Sequence, residues 1–245
     1  MLTKSDIDYF KKGELENRKF WSNLRVDPSF KSLKVLDVGC GHGSLCVDIA
    51  ARGASEVVGI DIEKRLIEFA TENVSLNYPQ FKDTINFEYC DIDNLAKRNF
   101  DVIVAKDSFE HILNLKSQLT QMKNRLKPGG RMYIGFGPLY NSPYGDHGRT
   151  KVLLPWGHLI FPERFLIKLV NKNRDKKITN ISELGLNKLS LAQYREIFYN
   201  SGLRVTYFRI NVSRNLMSKL FSLIKRIPFL EEYFSHNIYC ILENR

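Results

Sequence analysis

The chain has 245 residues, with 37 Lys and Arg against 27 Asp and Glu, and a formal net charge of +10. That length suffices for one large domain with a core, and the ordinary apolar content excludes a disordered chain. No segment approaches the ~18 consecutive apolar residues of a membrane span. The charged N-terminal stretch lacks the apolar region of a signal peptide, so we expect a folded cytoplasmic protein.

Apolar side chains at helical spacing alternate along the chain with short apolar runs rich in β-branched residues. The helical spacing predicts helices over 4–24, 44–52, 63–76, 115–126 and 190–201. The apolar runs predict strands over 33–38, 56–61, 84–89, 100–105, 131–136, 202–210 and 237–244. Lys127-Pro128-Gly129-Gly130 is predicted to end the fourth helix. This alternation is typical of an α/β fold, a mostly parallel sheet with helices on both faces.

We predict a single domain over 1–245 that carries three distinctive segments. Residues 1–30 form an N-terminal helical segment, and 211–234 form a basic amphipathic segment. The regular alternation stops after Phe136, and residues 137–189 are rich first in Gly, Pro and aromatic residues and then in Lys. Because this stretch follows a strand that ends at the open edge of the sheet, we interpret it as an insertion or lid over an acceptor pocket.

The stretch KVLDVGCGHGSLCVDIA, residues 34–50, places Gly39, Gly41 and Gly43 between a predicted strand and a predicted helix. Glycines at such a turn let the backbone approach a ligand, and the free N–H groups of the helix start suit a nucleotide-like molecule. The third glycine of the dinucleotide fingerprint is replaced here by Ser44, which we expect to cap the helix. An acidic residue, Asp37, precedes the glycines.

VLDVGCGHG resembles the first motif of the class I S-adenosylmethionine-dependent methyltransferases. Four further segments match that family in order: VVGIDI, FEYCDIDNL, FDVIVAKDSFEHI and LKPGGRMYI. Together they cover roughly residues 30–136. The resemblance implies a Rossmann-like, seven-stranded sheet whose last strand is antiparallel. It also implies S-adenosylmethionine as the methyl donor, with S-adenosylhomocysteine as the product.

The resemblance implies a role for each residue of the cofactor site, and each has a structural alternative. Asp37 would accept from the ammonium group of the cofactor or cap the loop. Asp61 would bind the ribose hydroxyls or cap the following helix, and Ile62 would pack on the adenine or in the core. Asp91, beside Ile92, would accept from the adenine amino group or form a turn.

The glycine loop itself, with Cys40 among Gly39, Gly41 and Gly43, would contact the cofactor through its backbone. Lys106 would line the sulfonium end. Since a cation beside a sulfonium is unfavourable, we expect the side chain of Lys106 to turn away.

Two motifs that are missing from the sequence, together with the composition of the insertion, restrict the chemical class of the methyl acceptor. The fourth strand is followed by Lys106-Asp107-Ser108-Phe109 rather than Asn/Asp-Pro-Pro-Tyr, which argues against methylation of amines on nucleic-acid bases. No Pro-Cys pair is present for attack at C5 of a pyrimidine. The insertion combines aromatic, imidazole and hydroxyl groups, which suit a hydroxylated ring. It resembles a block in bacterial methyltransferases whose substrates are mostly unassigned.

Histidines of the insertion are the candidate bases, because imidazole accepts a proton near neutral pH. His147 or His158 would deprotonate the acceptor, and Asp146 would orient one of them; structural hydrogen bonds or a turn are the alternatives. The resemblance to the methyltransferases also implies that His111 occupies a position near the acceptor pocket, one that many members of that family share. The four cysteines lack paired spacing, so we expect free thiols and no metal. Asp146, His147 and His158 are the residues that a metal site would use, but they are few for such a site.

The positive charge is concentrated in residues 163–226, which hold 14 Lys and Arg against 4 Asp and Glu. A basic region attracts acidic partners, or it is simply a solvated face. The stretch 214–230 has an apolar face and a basic face, which predicts peripheral contact with the inner face of a membrane or packing on the domain. Regular aromatic interleaving is missing, so we do not expect nucleic acid as a partner.

We therefore predict an S-adenosylmethionine-dependent methyltransferase that acts on a small-molecule hydroxyl. The acceptor would be a sugar or an isoprenoid or quinone-type compound, either free or linked to a lipid or glycan. One alternative is methylation of nitrogen or carbon in a small metabolite. Another is a non-catalytic module of the same fold that binds RNA or membrane through its basic C-terminal region.

Overall fold

The computed structural model describes residues 2–172, 174–211, 224, 227 and 229–245. In chain order, its helices and strands are α1 (Lys4–Leu24), β1 (Lys34–Val38), α2 (Ser44–Ala51), β2 (Glu56–Asp61), α3 (Lys64–Asn77), β3 (Ile85–Tyr89), β4 (Phe100–Lys106), α4 (Leu115–Arg125), β5 (Leu126–Phe136), α5 (Gly157–Ile160), α6 (Glu163–Asn171), α7 (Leu191–Tyr199), β6 (Arg204–Ile210) and β7 (Ile238–Glu243). Short 3-10 turns occupy Pro79–Phe81, Phe109–His111 and Ile181–Leu184. The predicted helices and strands are present, with ends that differ by one or two residues except at β5.

The strands form one seven-stranded sheet in the order β3-β2-β1-β4-β5-β7-β6. The first five strands are parallel, and β7 runs antiparallel to both β5 and β6. The predicted fold class, including the antiparallel last strand, is therefore confirmed. Because the parallel strands all end at one edge, the segments that follow β1, β2, β4 and β5 meet there.

The sheet separates two apolar cores, because successive side chains of a strand point to opposite faces. Leu36 and Val58 belong to the core that is covered by α4 and α7. Val35 and Val57 belong to the other core, which is covered by α1, α2 and α3. Burial on both faces explains why these strands read as continuous apolar runs.

Two local predictions are wrong. Ser44 is the first residue of α2 rather than its cap, and Gly43 occupies the cap position with a φ of 80°. A side chain is not needed there because the left-handed backbone of glycine makes the turn. The fourth predicted helix ends as expected, at Arg125, but β5 begins at Leu126 rather than at residue 131, since Leu126 pairs with Phe100 and the N–H of Gly129 donates to the carbonyl of Asn244 (2.6 Å).

Residues 137–189 contain α5, α6 and the 3-10 turn Ile181–Leu184. They bury a small apolar cluster of their own, made of Leu166, Val170, Ile178, Ile181 and Leu184. Their role as a lid stays a prediction. The amphipathic stretch 214–230 lies almost entirely outside the described residues. Among the described helices, none has the length and apolar character needed to cross a bilayer.

Candidate active site

The turn between β1 and α2 places three glycines in the left-handed region of the backbone. Gly39, Gly41 and Gly43 have φ values of 76°, 52° and 80°. A Cβ on Gly43 would lie 2.7 Å from the ring of Phe87, so this glycine is required by packing. A Cβ on Gly41 would meet nothing within 4 Å. The backbone at Gly41 is therefore open to a ligand.

Asp37 lies beneath this turn and is 1% exposed. Its Oδ2 accepts a hydrogen bond from the thiol of Cys46 (3.3 Å), and burial raises the pKa of this carboxyl group to about 6. The backbone N–H of Cys40 donates to the carbonyl of Ile60 (3.0 Å), which holds the turn against β2. The contact between Asp37 and a cofactor ammonium group stays a prediction.

Lys106, at the end of β4, reaches towards the N-terminal helix. Its amine donates to Oδ1 of Asn17 (2.6 Å), and Nδ2 of Asn17 donates to the carbonyl of Ser44 (3.1 Å). Burial lowers the pKa of the Lys106 amine. The end of β4 and the start of α2 are thus tied together through α1.

Asp61, at the end of β2, joins the glycine turn to the next helix. Its Oδ2 accepts from the N–H of Gly41, and its Oδ1 accepts from the N–H of Glu63, both at 2.9 Å. The carboxylate therefore shapes the turn before α3, although Glu63 rather than Asp61 occupies the cap position of that helix. Its oxygens retain lone pairs for the ribose hydroxyls of its other predicted role. Ile62 is 70% exposed beside it, so its apolar surface is free for an aromatic ring.

The third predicted carboxylate has a local partner. Oδ1 of Asp91 accepts from the N–H (2.9 Å) and the side-chain amide (2.8 Å) of Asn94, which is a turn-forming arrangement. Ile92 is 2% exposed and belongs to the core. Asp91 thus matches its structural alternative in the sequence analysis, a turn, and the contacts of both residues with adenine stay predictions.

The start of α1 covers the glycine turn, which the sequence analysis missed. Asp6 accepts from Nε2 of His42 (2.9 Å) and from Arg65 (2.9 Å), and the ring of Tyr9 lies 4.6 Å from the ring of His42. The hydroxyl hydrogen bond of Thr3, followed by those of His42 and Arg65, lowers the pKa of Asp6. No spacing in the sequence connects Asp6 to a loop 36 residues away.

Three titratable residues meet on the acceptor side of the sheet edge. Glu110 and His111 lie in the 3-10 turn that follows β4, and His147 lies in the insertion after β5. One oxygen or nitrogen of each lies within 4.8 Å of the others, and the two imidazole centroids are 5.3 Å apart. We call these three residues the acid–base cluster. Sequence reasoning named both histidines but missed Glu110, which only folding brings beside His147.

Burial controls the charges of the acid–base cluster. Glu110 is 4% exposed, and desolvation raises the pKa of its carboxyl group to about 8. Desolvation also lowers the pKa of His147 to about 4 and lowers that of His111. At neutral pH, a protonated carboxyl group therefore lies beside two neutral imidazoles.

Each imidazole is oriented by a backbone carbonyl. Nδ1 of His111 donates to Gly185 (2.9 Å), and Nε2 of His147 donates to Pro138 (3.0 Å). Because a carbonyl oxygen can only accept, these nitrogens carry the ring protons and the other nitrogen of each neutral ring is an acceptor. The oxygen and nitrogen atoms of the cluster are also of the types that bind a divalent cation.

Some buried polar atoms near the cluster have no partner. Within the described part of the chain, the shielded side-chain atoms without a hydrogen bond are Asn73 Nδ2, Ser108 Oγ, Glu110 Oε2 and Ser142 Oγ. Ser108 lies against the glycine turn, since a Cβ on Gly39 would be 2.7 Å from its Cβ. Unsatisfied buried polar groups are costly, so Ser108 and Glu110 are positions where a bound ligand would supply the missing hydrogen bonds.

His158 and Asp146 lie away from this cluster, in the interior of the insertion. Nε2 of His158 donates to the carbonyl of Tyr140 (2.6 Å), and its Nδ1 lies 3.8 Å from Asp146. Oδ2 of Asp146 accepts from the backbone and hydroxyl of Thr150. The side chains of His158 and Asp146 are 1% and 3% exposed. They hold the insertion together, and their catalytic roles stay predictions.

Comparisons with known proteins agree with the fold and the motifs. The family described as "Methyltransferase domain" matches residues 29–137. The ubiquinone biosynthesis O-methyltransferase of Neisseria meningitidis serogroup C is 29% identical over 170 residues, which are 66% of this chain and 65% of that protein. The mitochondrial enzyme of the same name from Rattus norvegicus is 36% identical over 105 residues, 42% of this chain and 30% of that protein. The chain thus covers less than two thirds of these relatives.

Solved structures show the same architecture at low sequence identity. A protein from Listeria monocytogenes whose structure is described as that of an S-adenosylmethionine-dependent methyltransferase matches with a TM-score of 0.59 and 14% identity, over 93% of this chain and 99% of that one. The geranyl diphosphate C-methyltransferase of Streptomyces coelicolor matches with a TM-score of 0.62 and 13% identity, over 95% and 79% of the two chains. Such identities support the fold alone.

Proposed function

Since residues 29–137 match the family described as "Methyltransferase domain", we propose that this chain transfers a methyl group from S-adenosylmethionine to a hydroxyl oxygen of a small molecule. The acceptor is a hydroxylated, quinone-type aromatic ring. The oxygen–methyl bond forms as the sulfur–methyl bond breaks, and the hydroxyl proton passes to the acid–base cluster.

The turn after β1 and the carboxylates beneath and beside it support the binding of S-adenosylmethionine. Bound there, the cofactor supplies a methyl group that is already activated by the positive sulfur. The open backbone at Gly41 allows the cofactor to approach closely. The carboxylate of Asp61 suits the ribose diol, and the exposed side chain of Ile62 suits the adenine ring. The chain then mainly aligns the two reactants, and such positioning is worth roughly 7–11 kcal/mol.

The acid–base cluster is the observation that carries the assignment to a hydroxyl acceptor. A phenol must lose its proton as it attacks, and the imidazole nitrogens that do not face a carbonyl are acceptors for that proton. Burial gives the Glu110 carboxyl group a pKa of about 8, close enough to that of a phenol for the minor fraction that is ionised at neutral pH to act as a competent base. Its unpartnered Oε2 is the atom that accepts.

The names of the relatives support an aromatic acceptor of the quinone-precursor type. A sugar hydroxyl needs a much stronger base than a phenol, and a carboxylate with a pKa of about 8 is poorly matched to it. We therefore rank a catechol or quinol above a sugar. The products distinguish this proposal from methylation of nitrogen or carbon.

The test uses isotopically labelled S-adenosylmethionine with a panel of catechols, quinols, sugars and amines, followed by mass analysis. We expect label on an oxygen of a catechol or quinol. Glu110→Gln should lower turnover while leaving calorimetric binding of S-adenosylhomocysteine unchanged. Label on nitrogen or carbon, or full turnover by Glu110→Gln, would contradict the proposal.

A further inference from the structure

A cavity of 640 Å³ lies in the insertion, and Arg149, which interacts electrostatically with Glu110 of the acid–base cluster, is part of its lining. Its wall is formed by α6, the residues just after it and the 3-10 turn Ile181–Leu184. Leu169, Val170 and Leu184 supply the apolar part of the lining. We call it the insertion cavity.

The polar lining of the insertion cavity is strongly cationic. Arg149, Lys151, Lys172 and Arg174 face a single carboxylate, that of Glu183. Within the described ranges, no carboxylate lies within the 4.0 Å of an ion pair from any of these four cations. A concave surface with several unpaired cations concentrates anions, because the low-dielectric walls focus the field.

Glu183 forms no ion pair with these cations, and with one carboxylate against four cations the lining stays net positive. Its Oε1 accepts from the backbone N–H groups of Thr179 and Asn180 and from the hydroxyl of Thr179, at 2.8 to 2.9 Å. The carboxylate therefore stabilises the turn Ile181–Leu184 rather than pairing with a cavity cation.

Arg149 connects the insertion cavity to the proposed active site. Its Nη1 donates to the carbonyls of Leu184 and Gly185, which fixes the guanidinium group. Nδ1 of His111 donates to the same Gly185 carbonyl (2.9 Å), and Arg149 interacts electrostatically with Glu110. A ligand that fills the cavity is therefore adjacent to a ligand at the acid–base cluster.

We propose that the insertion cavity binds a phosphate or diphosphate group, carried by the methyl acceptor. A guanidinium group donates bidentate hydrogen bonds to phosphate oxygens, and a lysine adds a positive charge without a fixed hydrogen-bonding geometry. The identification of this group with the acceptor rests on the proposed function; the binding of phosphate does not. The group comes either from a soluble diphosphate ester or from the headgroup of a lipid-borne acceptor.

The test measures binding of inorganic pyrophosphate by calorimetry, without methyl donor. We expect Lys172→Gln/Arg174→Gln to weaken binding at least tenfold and the affinity of the wild-type chain to fall steeply with salt. The matched control is Arg164→Gln/Lys168→Gln, which removes two exposed cations of α6 that do not line the cavity. Circular dichroism and thermal melts confirm folding.

Failure to bind pyrophosphate, or equal loss in the control variant, would overturn the proposal. Vesicles with and without phosphatidic acid distinguish the two sources, since a lipid headgroup would retain the wild-type chain on anionic vesicles but release the cavity variant. The outcome is separate from that of the proposed function. Intact methyl transfer without pyrophosphate binding removes only the cavity proposal. Pyrophosphate binding without methyl transfer removes the transferase proposal and the identification of the bound group with the acceptor, but it leaves the phosphate site.

Discussion

Replacement of Glu110 by Gln should make the stability of the protein less dependent on pH. Glu110 is 4% exposed, and burial raises the pKa of its carboxyl group from 4.5 to about 8. Between these values the folded chain keeps a proton that the unfolded chain releases. The free energy of unfolding of the wild-type protein must therefore fall as pH rises from about 5 to about 8, and no further fall from this residue occurs above that range.

The magnitude follows from the two pKa values. Their difference, at 1.36 kcal/mol per pH unit, corresponds to about 5 kcal/mol at full ionisation. The free energy of unfolding of a typical domain is only about 5–15 kcal/mol, so this one carboxyl group has a large effect on stability. Glutamine keeps the shape of the neutral acid and cannot ionise. The free energy of unfolding of the variant should therefore increase relative to that of the wild type as the pH rises, and it should be several kcal/mol higher at pH 9.

Urea unfolding at pH 5, 7 and 9 measures this difference. Glu14→Gln, at an exposed position on α1, is the control and should track the wild type at all three values. A difference between Glu110→Gln and the wild type that stays constant across this range would refute the argument that desolvation keeps this carboxyl group neutral.

The remaining predictions concern the cofactor turn and the base. Asp61→Ala should weaken S-adenosylhomocysteine binding in calorimetry by roughly 10- to 100-fold, since a charged hydrogen-bond acceptor contributes about 1.5–3 kcal/mol; an unchanged affinity would contradict its role. Gly43→Ala should destabilise the fold by about 2–4 kcal/mol in urea unfolding, because left-handed strain adds to overlap with Phe87. Gly148→Ala, with φ of 70° and open space, adds strain alone, and an equal loss in both variants would exclude the overlap. His147→Ala should lower turnover roughly 10²-fold or more without weakening S-adenosylhomocysteine binding.

The sequence predicted those parts of the site that are local in the chain. The glycine turn and Asp61 each follow a recognisable strand, and their meeting at Gly41 is required by the neighbouring positions of β1 and β2. The side-chain chemistry of Ser44 favours a helix cap, but the left-handed Gly43 makes a side-chain cap unnecessary.

The acceptor side could not be predicted in the same way. Glu110 and His147 belong to segments that only the sheet brings together, and burial rather than residue type determines their charges. His158 has the same chemistry as His147 in the same insertion, yet its ring is enclosed and bonded to Tyr140. No pattern in the insertion distinguishes the enclosed imidazole from the one that lies beside Glu110.

The contacts of α1 impose an order on assembly. Residues 6 and 17 are synthesised early, but their partners on β4 and α3 emerge from the ribosome much later. The helix can pair with the glycine turn once His42 and Ser44 have emerged, but its contacts with Arg65 and Lys106 form later and complete the arrangement around the turn. A bulky fusion ahead of α1 would disturb these contacts and so lower the cofactor affinity, although every residue of the glycine turn itself would be unchanged.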